Sequence, residues 1–403
     1  MNIALISSRF APEASPGAKR MTDLVMALQA AGHRTIVLTQ LPHYPDPSAF
    51  QGFLSNAAPL RIDRDEAGNE IWRFRPQLTS KANLRARLMA EARFAIRASR
   101  WGTRLSDVDG VFGSTPYMFN LYAARSYRLP MWLDLRDLTW EYSRDLGSGS
   151  LVNALGGYFL KSLSLANFGR ASRVSTTTPR QRQYLIDNGV PADKVQVIPN
   201  GVPKSIVERL IQLSTARTDD CPVKVVYAGL LGFPQGLEFA VESMEDMVDG
   251  EVELHLYGDG VDRGRLTDYC KARGLQHIHL HGHVSHEDYL KAIASADILY
   301  ASLRPEKSLA AAMPSKIWEY MAAGKPVLFA GSGEASEAIE RAQAGLWVGY
   351  GDEQDFKAKL RRLMRDPAYR LECGENGRQW VMEHQIRERI NAMWVEAIAD
   401  AFR

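Results

Sequence analysis

The chain has 403 residues, of which 45% are hydrophobic, 24% charged and 9% aromatic, a balance that excludes disordered and fibrous proteins. Because a single core rarely grows past about 250–300 residues, this length predicts two domains. The three cysteines are odd in number and widely separated, which excludes a disulfide framework and a cysteine-based zinc site. The N-terminus has no signal-peptide pattern and no apolar run approaches about 18 residues, so we expect a cytoplasmic protein without a membrane span.

Short apolar runs alternate with helical patterns along the chain, which is typical of βαβ units and a parallel sheet. Six strands are predicted in the first half, at residues 2–8, 35–39, 110–114, 131–135, 174–177 and 195–198. Six more are predicted in the second half, at residues 224–228, 252–257, 277–280, 297–301, 326–330 and 346–348. We therefore predict an α/β protein of two tandem doubly wound domains that face an interdomain cleft.

The segment Pro-Asn-Gly-Val-Pro at 199–203 interrupts both helix and strand patterns and marks the predicted domain boundary. The predicted domains are 1–203 and 204–378, followed by a helix at 379–403 that packs back across them. The net charge also differs between the two halves of the chain. Residues 1–203 hold 25 basic and 16 acidic residues, a net +9, whereas residues 204–403 hold 24 and 31, a net −7.

The run from Met313 to Val327 carries the clearest functional pattern. Pro314 suits the first turn of a helix and Gly324 suits its end, so a short helix would begin at the carboxyl end of a strand and attract a phosphate. Three polar residues lie on one side of this helix, because Ser315 and Lys316 precede Glu319 by four and three positions. The hydroxyl and the cation can hold a diphosphate while the carboxylate accepts from a ribose diol. A surface helix with a Lys316–Glu319 ion pair is the alternative.

Residues 314–327 have the pattern Pro-Ser-Lys-x-x-Glu-Tyr-x-Ala-x-Gly-Lys-Pro-Val. Further motifs follow the same chain order: the Gly17 loop, AGH at 31–33, LRDLTWE at 135–141, PNGV at 199–202, YAGLLG at 227–232, YGDG at 257–260 and HGHV at 281–284. Together they resemble the retaining nucleotide-sugar glycosyltransferases of family 4, which have the GT-B fold, and most of all the colanic-acid and O-antigen type. The resemblance implies a donor site formed by Gly17, Lys19, Asn200, Gly232, Gly258, His283, Val284, Ser315, Lys316 and Glu319.

The chain departs from this family at three positions. The family commonly has Glu-x7-Glu, and Glu319 matches the second glutamate, but the first falls on Ala311. An arginine and a lysine that usually clamp the diphosphate fall on Leu230 and Gln235. Lys316 therefore becomes the main candidate for binding the diphosphate, with Lys19 assisting.

The dipeptide Arg136–Asp137 follows a predicted strand and is assigned the acceptor side of the reaction. Arg136 could position an anionic acceptor, and Asp137 or Glu141 could polarise its hydroxyl group. The alternative is a local ion pair, either Arg136 with Asp137 or Arg144 with Glu141. With Lys316, Arg136 and Asp137 complete the predicted catalytic set.

Three other sequence patterns could indicate a functional site, but we assign none to them. The spacing of glycines after residue 257 does not match a dinucleotide fingerprint. Four alternating histidines at 277–283 could bind a metal, but no acidic residue stands among them, so we favour a plain strand face and predict no metal site. Asp107-x-Asp109 precedes a strand and is interpreted as a solvent-exposed turn.

The segment 81–104 is strongly basic, with seven basic residues and one acidic residue. Helical spacing aligns Arg93, Arg97, Arg100 and Arg104 on one stripe bordered by apolar residues. Such a stripe suits an anionic membrane surface, although a solvated helix face is the alternative. Nothing in the charge or motifs favours nucleic acid.

These features predict a metal-independent, retaining glycosyltransferase of surface polysaccharide biosynthesis, peripheral on the cytoplasmic face of the membrane. The donor is a nucleoside diphosphate sugar, for which we expect UDP, and the acceptor is a hydroxyl group of a lipid-linked or otherwise anionic molecule. No cofactor is predicted beyond the nucleotide sugar itself. Two alternatives remain open: a nucleotide-sugar epimerase of similar fold and a non-catalytic sugar-nucleotide-binding subunit.

Overall fold

Two sheets flanked by helices make up this protein. The computed structural model describes residues 1–13, 15–43, 46–55, 58–66, 68–78, 84–102, 104–105, 107–115, 119–141, 151–214, 222–247 and 250–403. The chain divides into two units, Met1–Pro199 with Glu388–Arg403, and Asn200–Arg387. The division falls inside the segment 199–203, four residues before the boundary predicted at 203.

The first unit contains an eight-stranded sheet. Its strands are β1 (Asn2–Ile6), β2 (Arg34–Gln40), β3 (Leu60–Arg64), β4 (Glu70–Phe74), β5 (Gly110–Ser114), β6 (Met131–Leu135), β7 (Arg173–Thr176) and β8 (Val195–Val197). Its first six helices are α1 (Pro16–Ala30), α2 (Gln51–Leu54), α3 (Leu84–Gly102), α4 (Phe119–Ser126), α5 (Leu151–Arg170) and α6 (Pro179–Asp187).

The strand order of this sheet is β3-β4-β2-β1-β5-β6-β7-β8, and all pairs are parallel except β3–β4. Strands β1, β5 and β6 are buried along almost their whole length, as expected when helices cover both faces of a parallel sheet. The chain leaves β1 for β2 on one side and later returns to β5 on the other. This reversal forms the crevice in which such sheets bind ligands, at the carboxyl ends of β1 and β5.

The second unit contains a six-stranded, fully parallel sheet with the order β11-β10-β9-β12-β13-β14. Its strands are β9 (Val223–Ala228), β10 (Val252–Tyr257), β11 (Ile278–Gly282), β12 (Ile298–Ser302), β13 (Val327–Ala330) and β14 (Gly345–Val348). Its helices are α7 (Lys204–Leu213), α8 (Glu238–Ser243), α9 (Arg263–Arg273), α10 (His286–Ala294), α11 (Ser315–Ala322), α12 (Glu334–Arg341), α13 (Glu353–Arg365) and α14 (Pro367–His384). The order reverses between β9 and β12, which places the ligand crevice at the carboxyl ends of these two strands.

The C-terminal part of the chain differs from the single helix predicted at 379–403. Helix α14 continues to His384, and a separate helix, α15 (Arg387–Phe402), follows. Trp394 of α15 is fully buried in the core of the first unit, where its ring packs against Phe112 of β5. Between α14 and α15, Ile386 pairs with Val202, so the two ends of the second unit lie side by side.

All twelve predicted strands are present, with ends that differ by at most two residues from the prediction, but the sequence reasoning missed β3 and β4. These two strands form an antiparallel pair at the sheet edge, and charged residues interrupt the apolar pattern of β3. The helix predicted at 81–104 is α3, while residues 81–83 lie outside the described part. Helix α3 ends at Gly102, so Arg104 is not part of its stripe. Among the helices of the described residues, none is long and apolar enough to cross a membrane.

Candidate functional site

Glycines bring the loops after β9 and β10 into contact at the crevice of the second unit. The Gly229 N–H donates to the Tyr257 carbonyl oxygen at 2.9 Å, and the Leu231 N–H donates to that of Asp259 at 2.9 Å. A Cβ atom at Gly258, where φ is +130°, would lie 1.8 Å from the Gly229 carbonyl oxygen. Only glycine permits this approach, so the predicted donor residue Gly258 sets the shape of the crevice.

Helix α11 begins beside this pair of loops. Pro314 occupies the N-cap position, where no described side chain caps the first backbone N–H groups, and Gly324 follows the helix with a φ of +69°. The Tyr320 hydroxyl accepts from the Ala228 N–H at 2.8 Å, which fixes the helix to the end of β9. One side of the helix is buried in the core, while Ser315 is exposed and Lys316 and Glu319 are half-buried. The predicted polar sector is therefore present and lies at the crevice.

Lys316 reaches across to β9. Its ammonium group donates to the Tyr227 hydroxyl at 2.6 Å and lies 3.8 Å from the centre of the Tyr227 ring. A Cβ atom at Gly229 would lie 2.5 Å from the Lys316 Nζ atom, so this glycine makes room for the amine. Burial lowers the pKa of Lys316 to about 7, and the nearby Glu319 carboxylate opposes that shift. A desolvated amine next to uncapped N–H groups can bind an anion and take up a proton as it does so.

Glu319 accepts a hydrogen bond from the Tyr289 hydroxyl of α10. Burial, followed by the Glu319 carboxylate, holds the pKa of Tyr289 well above its ordinary value, so this hydroxyl stays a donor. Because a carboxylate has room for several donors on its two oxygens, Glu319 can still accept from a ribose diol. The predicted Lys316–Glu319 pair is not a direct contact here, since each side chain is held by a different tyrosine.

The remaining predicted donor residues have less specific surroundings. Val284 is half-buried and His283 is exposed in the turn between β11 and α10. Gly232 precedes a short 3₁₀ turn in the loop after β9. Asn200 lies at the start of the second unit and is half-buried.

The loop after β9, which contains the two clamp positions, contacts a cation that the sequence reasoning missed. The chain has Leu230 and Gln235 at the clamp positions, but Arg304, which follows β12, donates from Nε to the Phe233 carbonyl oxygen at 2.9 Å. Arg304 also pairs with Glu238, whose pKa is lowered by hydrogen bonds and by this charge against the effect of burial. Its charge is thus largely compensated and holds the loop after β9. The sequence signal that could have identified Arg304 is its position as a basic residue shortly after a predicted strand.

The position of the family's first glutamate carries no carboxylate. Ala311 is buried in a 3₁₀ turn before α11. Glu306 is the only acidic residue between β12 and α11, and its Oε2 atom is buried with no hydrogen-bond partner among the described residues. A buried carboxylate oxygen without a donor is costly. Glu306 is therefore a candidate for accepting a hydrogen bond from a ligand hydroxyl.

In the first unit, the predicted residues Gly17 and Arg136 lie together. A Cβ atom at Gly17 would lie 2.5 Å from the Arg136 Nη1 atom, so a larger residue would displace this guanidinium. The Arg136 N–H donates to the Thr115 hydroxyl at 2.8 Å, and its carbonyl oxygen accepts from the Gln181 amide at 2.8 Å. Lys19 is exposed on the first turn of α1. A helix start and a guanidinium thus meet at the crevice of this sheet, which is an arrangement suited to an anion.

A buried ion pair holds α1 against the sheet. Arg20 donates from Nη2 to Asp134 Oδ1 at 3.1 Å, and Asp134 also accepts from the Ser175 hydroxyl at 2.7 Å and the Ser114 hydroxyl at 3.0 Å. Arg20 stacks on Trp394 at 4.2 Å. Because the pair is buried and fully hydrogen-bonded, it fixes the position of the neighbouring Gly17 turn.

The other acidic candidates of this loop differ in their surroundings. Asp137 is exposed at the loop surface. Glu141 pairs with Lys161 at 3.4 Å and accepts from the Tyr184 hydroxyl. This pairing gives Glu141 a structural role. Arg144, its other predicted partner, lies outside the described residues.

A cavity of about 290 Å³ opens beside the carboxyl ends of β2 and β4. Among the described residues that line it are Arg75, Arg93 and Arg97, and none of its lining residues is acidic. Arg97 donates to the Arg75 carbonyl oxygen at 2.9 Å, and Arg93 contacts Gln77. Gln40 is only 6% exposed, and its Nε2 amide has no partner among the described residues. Two arginines of the predicted membrane stripe thus also line a cavity whose described lining residues are basic, polar or apolar but not acidic.

Two family models match the chain, one over each half. The model described as "Glycosyl transferase 4-like domain" matches residues 17–201, and the model described as "Glycosyl transferases group 1" matches residues 207–380. WcaI of Escherichia coli (strain K12), assigned as a glycosyl transferase of colanic acid biosynthesis, is 24% identical over 343 residues, which cover 80% of this chain and 82% of that protein.

Solved structures of the same fold cover essentially the whole chain. Sucrose-phosphate synthase from Thermosynechococcus elongatus matches with a TM-score of 0.77 and 19% identity, over 100% of this chain and 99% of that one. Anabaena HepE in complex with UDP matches with a TM-score of 0.69 and 17% identity, over 99% of this chain and 100% of that one. At these identities the structures establish the fold, two Rossmann-like domains of the GT-B type, as the sequence predicted.

Proposed function

Because this chain belongs to the family 4 glycosyltransferases and has the GT-B fold, we propose that it transfers a sugar from UDP to an anionic, lipid-linked acceptor with retention of anomeric configuration. The observation that carries the proposal is the start of α11, where Lys316 and Glu319 flank uncapped backbone N–H groups. The complex of HepE with UDP supports the choice of nucleotide. The similarity to WcaI supports a role in surface polysaccharide biosynthesis.

The proposed reaction breaks the bond between the anomeric carbon and the diphosphate oxygen. A new bond forms between that carbon and the acceptor hydroxyl oxygen, the hydroxyl proton is released, and UDP leaves. Negative charge grows on the diphosphate during this step. Lys316 and the N–H groups of α11 stabilise that charge, which is the role a metal ion has in other transferases. Metal independence is part of this proposal.

Glu319 would accept hydrogen bonds from the ribose hydroxyls while Tyr289 holds the carboxylate in place. Glu306 would accept from a hydroxyl of the sugar ring, since the family's usual glutamate is replaced by Ala311. We also propose contacts to the donor for the other residues that the sequence predicted: Gly17, Lys19, Asn200, Gly232, Gly258, His283, Val284 and Ser315. Arg136 and Asp137 remain proposed contacts to the acceptor.

The cavity lined by Arg75, Arg93 and Arg97 supports an anionic acceptor. Three guanidinium groups and the Gln40 amide offer donors to a phosphate or carboxylate, and none of the lining residues competes as an anion. The same helix face supports contact with anionic lipid, which would place the protein on the cytoplasmic face of the membrane.

The decisive experiment is a screen of nucleotide sugars for binding by calorimetry and for slow hydrolysis, followed by turnover with membrane extracts. Release of UDP that depends on an acceptor supports transfer. Conversion of the sugar without an acceptor would instead identify an epimerase, and binding without any turnover would identify a non-catalytic subunit.

Membrane contact is tested with the charge-reversed double variant Arg93→Glu/Arg97→Glu. We expect the parent to bind anionic liposomes at low salt, because attraction between exposed charges is screened within about 8 Å at physiological ionic strength. The variant should lose this binding, because its reversed charges are repelled by anionic lipid. Arg361→Glu/Arg365→Glu, with the same change of charge on exposed positions of α13, is the matched control. If the parent does not bind anionic liposomes even at low salt, the stripe is a solvated helix face and a soluble acceptor is favoured.

A further inference from the structure

A half-exposed face of the second sheet carries a cluster of metal-ligating side chains, Glu253, His255 and His279, of which the sequence analysis considered only His279. Glu253 and His255 lie two positions apart on β10, so their side chains point to the same face. In the parallel register of β10 and β11, His255 lies directly beside His279. The acidic residue missing from the histidine run at 277–283 is thus supplied by the neighbouring strand.

The three side chains converge on one point. The Glu253 Oε2 atom lies 3.0 Å from His255 Nε2 and 3.9 Å from His279 Nε2, and one ligand atom from each residue lies within 4.8 Å of the others. Ligand atoms about 2.0–2.1 Å from a tetrahedral zinc ion are separated by about 3.3 Å. The observed distances bracket this value, so small rotations of the side chains suffice to enclose an ion.

His281 provides the support that metal-binding histidines usually have. Its Nε2 atom lies 2.9 Å from His255 Nδ1, and its ring stacks on Tyr257 with the ring centres 4.1 Å apart. A hydrogen bond at Nδ1 fixes the ring orientation and leaves Nε2 of His255 directed at Glu253. His277, the first histidine of the run, is buried and contacts the Met244 carbonyl oxygen instead, so it is not part of the cluster.

Access from solvent also suits a cation. The side chains of Glu253 and His279 are 36% and 37% exposed, which gives an ion access from solvent. Lys224 of β9, paired with Glu253 in the sheet, is the cation that faces the cluster, and its amine donates to the Ser295 hydroxyl at 3.1 Å.

We propose that Glu253, His255 and His279 form a zinc-binding site that ties the edge strand β11 to β10. Two imidazoles and one carboxylate are a ligand set that suits Zn²⁺, and the fourth position is left to water or an external ligand. The ion would act on the stability of the sheet edge. This proposal does not depend on the proposed transferase activity or on the α11 site.

The test is a titration of the EDTA-treated full-length protein with ZnCl₂ at pH 7.5. We expect one equivalent to bind, a melting temperature raised by about 5 °C at a hundredfold excess over Kd, and Co²⁺ absorption of the tetrahedral type. Glu253→Gln and His279→Gln should each weaken binding at least tenfold. His384→Gln, which removes an exposed histidine elsewhere in the same unit, is the control and should bind as the parent does.

Absence of stoichiometric binding by the folded parent would overturn the proposal. Equal affinity in the parent and both ligand variants would overturn it as well, because the zinc would then be bound elsewhere. Circular dichroism establishes that each variant is folded. UDP affinity, measured in parallel, should be the same in the parent and in Glu253→Gln, which separates failure of this site from failure of the donor site.

Discussion

Replacing Lys316 with methionine tests the central element of the donor site. Methionine is similar in length but carries no charge, so the change removes the interaction with the diphosphate and keeps most of the packing. The Tyr227 hydroxyl retains its hydrogen bond to the Leu230 carbonyl oxygen at 2.6 Å. Since burial disfavours the charged lysine near pH 7, we expect the melting temperature of the variant to equal or exceed that of the parent.

The pKa of Lys316 sets the size of the effect and its pH dependence. Hydrogen bonds to charged groups contribute about 1.5–3 kcal/mol, which corresponds to a Kd for UDP that is about 10- to 150-fold higher in the variant. This loss is fully present at pH 6, where an amine with a pKa of about 7 is charged. At pH 9 only about 1% of the free lysine is charged, so the two affinities should agree within about threefold.

Calorimetric titration of UDP from pH 6 to pH 9 measures both quantities. Ionisation of the nucleotide itself is common to parent and variant, so it cancels in the ratio of the two Kd values. We expect this ratio to fall steadily as the pH rises through 7. A ratio near one at pH 6, or a ratio that does not change with pH, would refute the assignment of Lys316 to the diphosphate.

Three further outcomes follow from the same site. Glu319→Ala should raise the Kd for UDP by about tenfold or more, whereas Tyr289→Phe, measured by the same calorimetry, should change it less than about threefold. Gly258→Ala should destabilise the fold by about 3 kcal/mol or more, because its Cβ atom would meet the Gly229 carbonyl oxygen. Differential scanning calorimetry should show this loss for Gly258→Ala but not for Gly264→Ala, where a Cβ atom has no neighbour within 4 Å. EDTA should leave the initial rate of UDP release within about twofold, and a complete loss restored by Mn²⁺ or Mg²⁺ would contradict the metal-free mechanism.

The sequence by itself determined the two parallel sheets and the polar helix start at 314–319. Both can be predicted from local patterns, because buried strands have continuous apolar runs and helix ends are marked by proline and glycine. Strands β3 and β4 were missed because charged residues interrupt the apolar pattern of both strands, although only the edge strand β3 is exposed. The sequence predicted one helix at 379–403, which includes α15, but it did not predict the break before α15, where Ile386 pairs with Val202.

Only the tertiary structure decided which partner each functional side chain has. Tyr227 meets Lys316 from 89 positions away, and Tyr289 meets Glu319 from 30 positions away. Glu253 completes the histidine cluster because the register of β10 and β11 places it there, and the arginines of α3 meet residues that follow β4. Such contacts depend on strand order and register, which arise from packing across the whole sheet and leave no mark on the spacing of residues along the chain.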